Sequence, residues 1–427
     1  MIVAAYFFSG LSFLMGLLFS FRAQNPWGWF TLFPKLFGAV FSPFWAIMGV
    51  VGVILGGLYG AVWAIPLGIV GAIIMTWYVY LCSRGHEGFE HAFGADWKNH
   101  ISPEQVNHMV KRRWSFYLPL KSSSEPIWER DLSFWTIPGT DRDLLCDVWR
   151  PGNGRSSGMG IVYLHGGAWF IMDKDFGTRS LFNHLVAQGH TVMDVAYRLC
   201  PEVDIFGMIG DVKRAISWMK ANAERYSIHP EKLVLGGASA GGHLALLAGY
   251  TPHLPDFTPN ELNGEDLSVS GIFSYYGPTD MQATYEHENQ QLFVGLPPVP
   301  IGERLESTNR LNLDPEILRF YAGRLDLLLG GYPQDAADIY KLASPITHVH
   351  PGSPPTLLIQ GQQDFITPVD ATCDLHTKLV ESGVPAVNVV FPWTDHAFDL
   401  LFPQIAPPAQ AALHDLDRFL ALVVNKN

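Results

Sequence analysis

The sequence predicts an α/β protein, with a mostly parallel sheet covered by helices on both faces, preceded by an α-helical transmembrane region. Two observations predict the sheet. Short apolar runs alternate with helix-length stretches from about residue 131 onward, the rhythm of strand–helix–strand units. Those runs are rich in Val, Ile and Leu, as strands buried on both faces are. A third observation predicts the membrane region. Hydrophobic residues make up 48% of the 427, and the excess is concentrated before residue 83.

From Met1 to Phe21 the chain is apolar and uncharged, long enough to cross ~30 Å of hydrocarbon. A cleaved signal peptide is the alternative, but no basic segment opens the run. The residues that follow, Phe21-Arg22-Ala23-Gln24-Asn25-Pro26, offer no small-x-small cleavage site. Residues 36–82 contain no Asp, Glu, Lys, Arg or His. This block is about twice the ~20 residues one span needs, and Gly56-Gly57-Leu58-Tyr59-Gly60 lies near its middle. A helical hairpin over roughly 37–56 and 60–82 is expected, because lipid-exposed backbone must satisfy itself internally. Trp27, Trp29, Trp45, Trp77, Tyr78 and Tyr80 lie near the ends, as an interfacial aromatic belt would. Arg22 and Lys35 fall between the first two spans, and Arg84, Lys98, Lys111, Arg112 and Arg113 follow the third. Three spans put both basic regions on one side, so the positive-inside rule places the large domain in the cytoplasm.

Three regions are expected: 1–83 as the transmembrane region, 84–130 as a connector, and 131–427 as the α/β domain. The connector carries a helix from Pro103 to Trp114 and a Ser-rich turn at 121–126. Its Lys111-Arg112-Arg113 cluster reads either as a contact with anionic headgroups or as a solvated helix face. Strands are expected at 131–137, 143–149, 160–165, 191–196, 232–236, 270–276, 356–361 and 387–391. Helices are expected near 176–188, 207–226, 240–250, 370–383 and 407–424. The interval 282–339 breaks the rhythm with Pro-rich and helical pieces and reads as a cap over the C-terminal edge of the sheet. Net charge is −12 without a charged block, which argues against nucleic acid as a partner. The four cysteines, Cys82, Cys146, Cys200 and Cys373, are widely spaced and suggest neither a metal site nor a disulfide framework.

Four short stretches carry chemistry. Gly237-Ala238-Ser239-Ala240-Gly241 joins an apolar strand to a run of helix formers. Small neighbours let the backbone turn sharply and present the Ser239 hydroxyl at the top of a sheet, and the Ala240 amide opens a helix, where a negative charge is favoured. His165-Gly166-Gly167-Ala168-Trp169 follows a strand, and two adjacent glycines let N–H groups converge on one point. Asp364 lies in the loop after Leu357-Leu358-Ile359-Gln360-Gly361 and can orient an imidazole. Asp370 and Asp374 are nearby rivals, and position after the strand favours Asp364. His396, in Asp395-His396-Ala397-Phe398, follows the last strand. The chain order Ser239, Asp364, His396 is that of an α/β-hydrolase triad.

With these motifs, together with Tyr197-Arg198-Leu199-Cys200-Pro201-Glu202, Tyr276-Gly277-Pro278-Thr279-Asp280 and Ser344-Pro345-Ile346, residues from about 130 to 424 resemble an α/β-hydrolase. The resemblance is to the hormone-sensitive-lipase-like and small-carboxylesterase group, near acetyl esterases and kynurenine-formamidase-like enzymes. It implies Ser239 as nucleophile, His396 as base, Asp364 as its orienter, and the amides of Gly166, Gly167 and Ala240 as oxyanion hole. It also implies that Tyr197 and Arg198 brace the sheet near the site. Ala168 departs from the third Gly of the lipase branch, and residues 1–130 lie outside the resemblance. The expectation is a membrane-anchored serine hydrolase that needs no cofactor or metal and cleaves a small-molecule ester, hydrophobic or derived from membrane lipid. Its rivals are an amidase, formamidase or acyltransferase on the same triad, and a non-catalytic ligand-binding homologue; protein partners are not indicated.

Overall fold

The structure is a computed structural model that describes residues 1–22, 27–119, 126–152, 154–291 and 324–425. The N-terminal region forms α1 (Ile2–Ser20), α2 (Trp27–Val40), α3 (Ser42–Tyr59) and α4 (Ala64–Ser83). Three of its helices, α1, α3 and the one beginning at Ala64, are long and apolar enough to cross a membrane. The hairpin is shifted from its expected position. Residues 37–40 end α2 instead, because Phe41 breaks the helix and Pro43 starts the next one at a position that tolerates proline. Gly60, with φ +73°, then closes α3 by donating its N–H to the Gly56 carbonyl. At 14 residues α2 is too short to span.

The connector holds two short helices, α5 (Gly88–Phe93) and α6 (Pro103–His108). A Ser102–Gln105 capping box starts α6, but the helix stops at His108 rather than running to Trp114. The basic cluster 111–113 is therefore not a helix face, and Arg113 pairs with the buried Asp415.

Eight strands form one sheet: β1 (Pro126–Thr136), β2 (Asp143–Pro151), β3 (Gly158–Leu164), β4 (Thr191–Val195), β5 (Ile228–Ala238), β6 (Gly271–Tyr275), β7 (Thr356–Gly361) and β8 (Ala386–Phe391). The spatial order is β1-β2-β4-β3-β5-β6-β7-β8. β1 and β2 pair antiparallel, β2 pairs antiparallel with β4, and all later pairs are parallel. β1 begins at Pro126, inside the segment expected to be connector.

Helices α7 (Arg179–Ala187), α8 (Ile205–Ala221) and α9 (Ala240–Tyr250) alternate with the strands, and α10 (Met281–Gln291) follows β6. After the undescribed interval come α11 (Leu325–Leu328), α12 (Ala337–Leu342), α13 (Val369–Glu381) and α14 (Pro407–Val424). Most of the expected cap lies outside the described residues.

Because side chains alternate along a strand, the sheet separates two cores. Val162 and Leu164 pack with α8, α9 and α13. Ile161 and Tyr163 face α7 and α14, and this second core also takes in Phe19, Leu32, Leu36, Tyr78 and Cys82 from the N-terminal helices. The apolar N-terminal region thus shares a core with the α/β domain.

Candidate active site

The parallel strands end in register along one edge. Leu164 pairs with Gly237, Ala238 with Tyr275, Tyr275 with Ile359, and Gly361 with Phe391. Gly166, Gly167, Ser239, Tyr276, Asp364 and His396 lie just beyond these positions and so meet in space, although they are far apart in sequence.

Ser239 sits where β5 turns directly into α9, with φ 54° and ψ −123°, a conformation that costs a non-glycine residue energy and persists only when its surroundings enforce it. Two things enforce it here. The Ser239 N–H donates to the Tyr275 carbonyl at 2.8 Å. The turn is also packed too tightly for side chains: a Cβ at Gly241 would lie 2.0 Å from the Leu164 carbonyl oxygen.

His396 Nε2 lies 3.1 Å from Ser239 Oγ, and its Nδ1 lies 2.8 Å from Asp364 Oδ2. Asp364 is fully buried. Its Oδ1 accepts the amides of Ile366 and Thr367, and its Oδ2 accepts Gln360 Nε2 and Thr367 Oγ1 as well as the imidazole. An acceptor held in this way requires the proton on Nδ1 and leaves Nε2 to accept from the Ser239 hydroxyl. The rivals Asp370 and Asp374 are exposed on α13.

The loop after β3 bends back beside the same hydroxyl. A Cβ at Gly166 would lie 3.4 Å from Ser239 Cβ, and one at Gly167, where φ is +119°, would lie 2.0 Å from the Ile171 carbonyl oxygen. Among the described residues the Gly166 and Gly167 amides donate to no backbone carbonyl. The amide of Ala240, at the start of α9, belongs to a first helical turn that has no intrahelical acceptor. The Gly166–Gly167 turn and the first turn of α9 thus both border Ser239. Tyr197 stacks on His165 at 4.5 Å and donates its hydroxyl to the His165 carbonyl, while Arg198 forms a two-pronged pair with Asp211. These are the contacts of bracing residues.

Several neighbours of the site carry contacts that no sequence motif assigns. Gln360 and Thr367 hold Asp364, and a lone Gln within the apolar strand Leu357–Gly361 was the available signal. Tyr276 lies with its ring 4.4 Å from that of His396 and donates its hydroxyl to the half-buried Asp399. His243 is buried in α9; its Nδ1 accepts Trp169 Nε1 at 3.1 Å, and its Nε2 donates to the Ala343 carbonyl at 2.8 Å. It thereby ties the glycine loop to the elbow helix.

Burial pushes the His243 imidazole down from 6.5 to about 4. The unfolded chain binds this proton below pH 6.5 and the native chain only near pH 4, so stability is retained above 6.5 and lost as pH falls through that window, by up to about 3 kcal/mol. His243→Gln is expected to lower the thermal inactivation temperature at pH 7.5, and the gap to wild type is expected to narrow towards pH 4.5. A gap that widens on acidification would contradict a neutral His243.

The sheet order and the loops gathered at its C-terminal edge define an α/β-hydrolase fold. Among solved structures, a truncated carbohydrate esterase from gut microbiota matches 73% of this chain and 100% of its own, with a TM-score of 0.53 at 20% identity. Esterase B from Lactobacillus Rhamnosis matches 71% of this chain and 88% of its own, with a TM-score of 0.53 at 21% identity. The chain belongs to the BD-FAE family, which matches residues 146–313 and 318–379, just over half of it. Two relatives from Mycobacterium tuberculosis (strain ATCC 25618 / H37Rv) are LipM, named for carboxylic ester hydrolysis, and Esterase LipC. They are 29% and 28% identical over 60% and 62% of this chain. The chain spans only 53% and 59% of their own lengths.

Proposed function

We propose that this protein is a serine hydrolase that cleaves a carboxylic ester through an acyl-enzyme. The observation that carries the reading is the connected line of hydrogen bonds from Ser239 Oγ through His396 to Asp364, at 3.1 and 2.8 Å. His396 Nε2 takes the Ser239 proton as Oγ attacks the ester carbonyl. The carbonyl oxygen becomes negative facing the amides of Gly166, Gly167 and Ala240. His396 then gives its proton to the departing alcohol, and water releases the acid by the same steps in reverse. The esterase names of the mycobacterial relatives favour ester over amide as substrate.

The proposal extends to location and substrate. The protein is read as integral to a membrane through three spans, with the catalytic domain on the cytoplasmic side, and the ester is hydrophobic or lipid-derived. Two observations support this. The loops bearing Asp364 and His396 pack against the ends of the apolar helices: Gln363 donates to the Phe19 carbonyl, and Thr394 contacts Tyr78. Rings from both regions also meet on the surface, Phe44 with Phe116 at 4.9 Å and Phe41 with Phe402 at 5.9 Å. Phe33, Phe37, Phe116, Tyr117 and Phe402 are exposed around them, as a surface seated at a lipid interface requires.

Fluorophosphonate labelling tests both parts. Wild type is expected to label and Ser239→Ala not to label. An impermeant probe is expected to label permeabilised cells only, and labelling of intact cells would overturn the orientation. Turnover confined to short soluble esters, with none of long-chain ones, would overturn the lipid-derived substrate.

A further inference from the structure

Lys35 is 2% exposed on α2, an unusual place for a cation in an otherwise apolar helix. Its Nζ donates to Gln363 Oε1 at 3.1 Å and lies 3.5 Å from Asp395 Oδ2. Both partners sit next to the site. Gln363 precedes Asp364, and its own Nε2 donates to the Phe19 carbonyl at the end of α1. Asp395 precedes His396, and its Oδ1 accepts the amides of His396 at 2.9 Å and Phe365 at 3.2 Å. The carboxylate thus grips the backbone of both loops, and Lys35 is the only cation in contact with it among the described residues. Burial and the neighbouring Asp364 push the Asp395 carboxyl up, and Lys35 opposes them.

We propose that Lys35 is a positioning residue for the hydrolysis. From the short helix between two candidate spans it holds Asp395 and Gln363, and through them keeps His396 in line between Ser239 and Asp364. This rests on the serine-hydrolase reading above. It makes the membrane region part of the active site rather than a tether alone. The physical reason is distance: a base must stay within ~3 Å of the proton it takes, and small misplacements of a catalytic group are costly in rate. A lysine that only neutralised a buried carboxylate would affect folding but not turnover by the folded fraction.

The test uses the full-length protein in detergent micelles or vesicles, with active sites counted by fluorophosphonate titration and turnover measured on p-nitrophenyl butyrate. Lys35→Met is expected to lower kcat per titrated site at least tenfold with KM within twofold of wild type. Lys35→Arg, which keeps the charge, is expected to stay within threefold in kcat. If Lys35→Met yields no titratable protein, Lys35→Gln carries the same expectation as Lys35→Met. A neutral variant whose per-site kcat lies within twofold of wild type overturns the role of Lys35 while leaving the hydrolase reading intact. Wild type that neither labels at Ser239 nor turns over ester overturns that reading and this inference with it.

Discussion

Ser239→Ala is expected to lower kcat for ester hydrolysis by about 10⁶-fold, the scale on which removal of a serine nucleophile acts in enzymes with this set of groups. The fold is expected to survive. The methyl group fits wherever the CH₂OH fitted, the strained backbone is held by Tyr275 and by the close approach of Gly241 to Leu164, and the lost hydroxyl leaves only Nε2 of His396 without its partner. A thermal inactivation temperature close to wild type, with no measurable turnover, is the outcome expected. Residual activity within a hundredfold of wild type would move the nucleophile elsewhere.

Asp364→Asn is expected to cost about 10⁴-fold in kcat, through the imidazole tautomer rather than through the fold. The Asn carbonyl oxygen can still accept from Ile366 and Thr367, as Oδ1 does now. Its NH₂ group then points at His396 Nδ1 and at Gln360 Nε2, where a carboxylate oxygen now accepts from both. The imidazole answers by moving its proton to Nε2, the nitrogen that has to accept from Ser239. The fluorophosphonate labelling rate is expected to fall in parallel with kcat, since both need the Ser239 proton removed. Unchanged labelling would mean that Asp364 acts on a later step. Partitioning of product between water and an added alcohol or amine, measured on wild type, separates hydrolysis from acyl transfer, which shares the same acyl-enzyme.

The strands lie close to where they are expected, with ends moved by a few residues; the interior parallel ones are the clearest, because a strand buried on both faces needs a short apolar run and little else. Neither α2 nor the short α5 is marked in the sequence, and α2 is the longer. Pro34, Lys35 and the Pro43 start of the next helix give residues 27–43 no clean period, and the uncharged block from 36 to 82 pointed to one hairpin. The candidate triad was legible for another reason: each member follows a strand, and two of the loops carry glycines whose spacing has a backbone cause. Tyr276 stands in a motif of the resemblance without a role attached, and Gln360, His243 and Lys35 are single polar residues in apolar segments, where such a residue is usually a satisfied side chain.

Local composition and backbone freedom were enough to specify the α/β alternation, the Gly237–Gly241 elbow, the Gly166–Gly167 turn and the three apolar helices. Each depends on neighbours within a few residues. Long-range packing alone brought Ser239, Asp364 and His396 to hydrogen-bonding distance and set Lys35 against Asp395. Those distances come from the register of five strands and from the docking of the N-terminal helices on the strand ends. No short window of the chain encodes either.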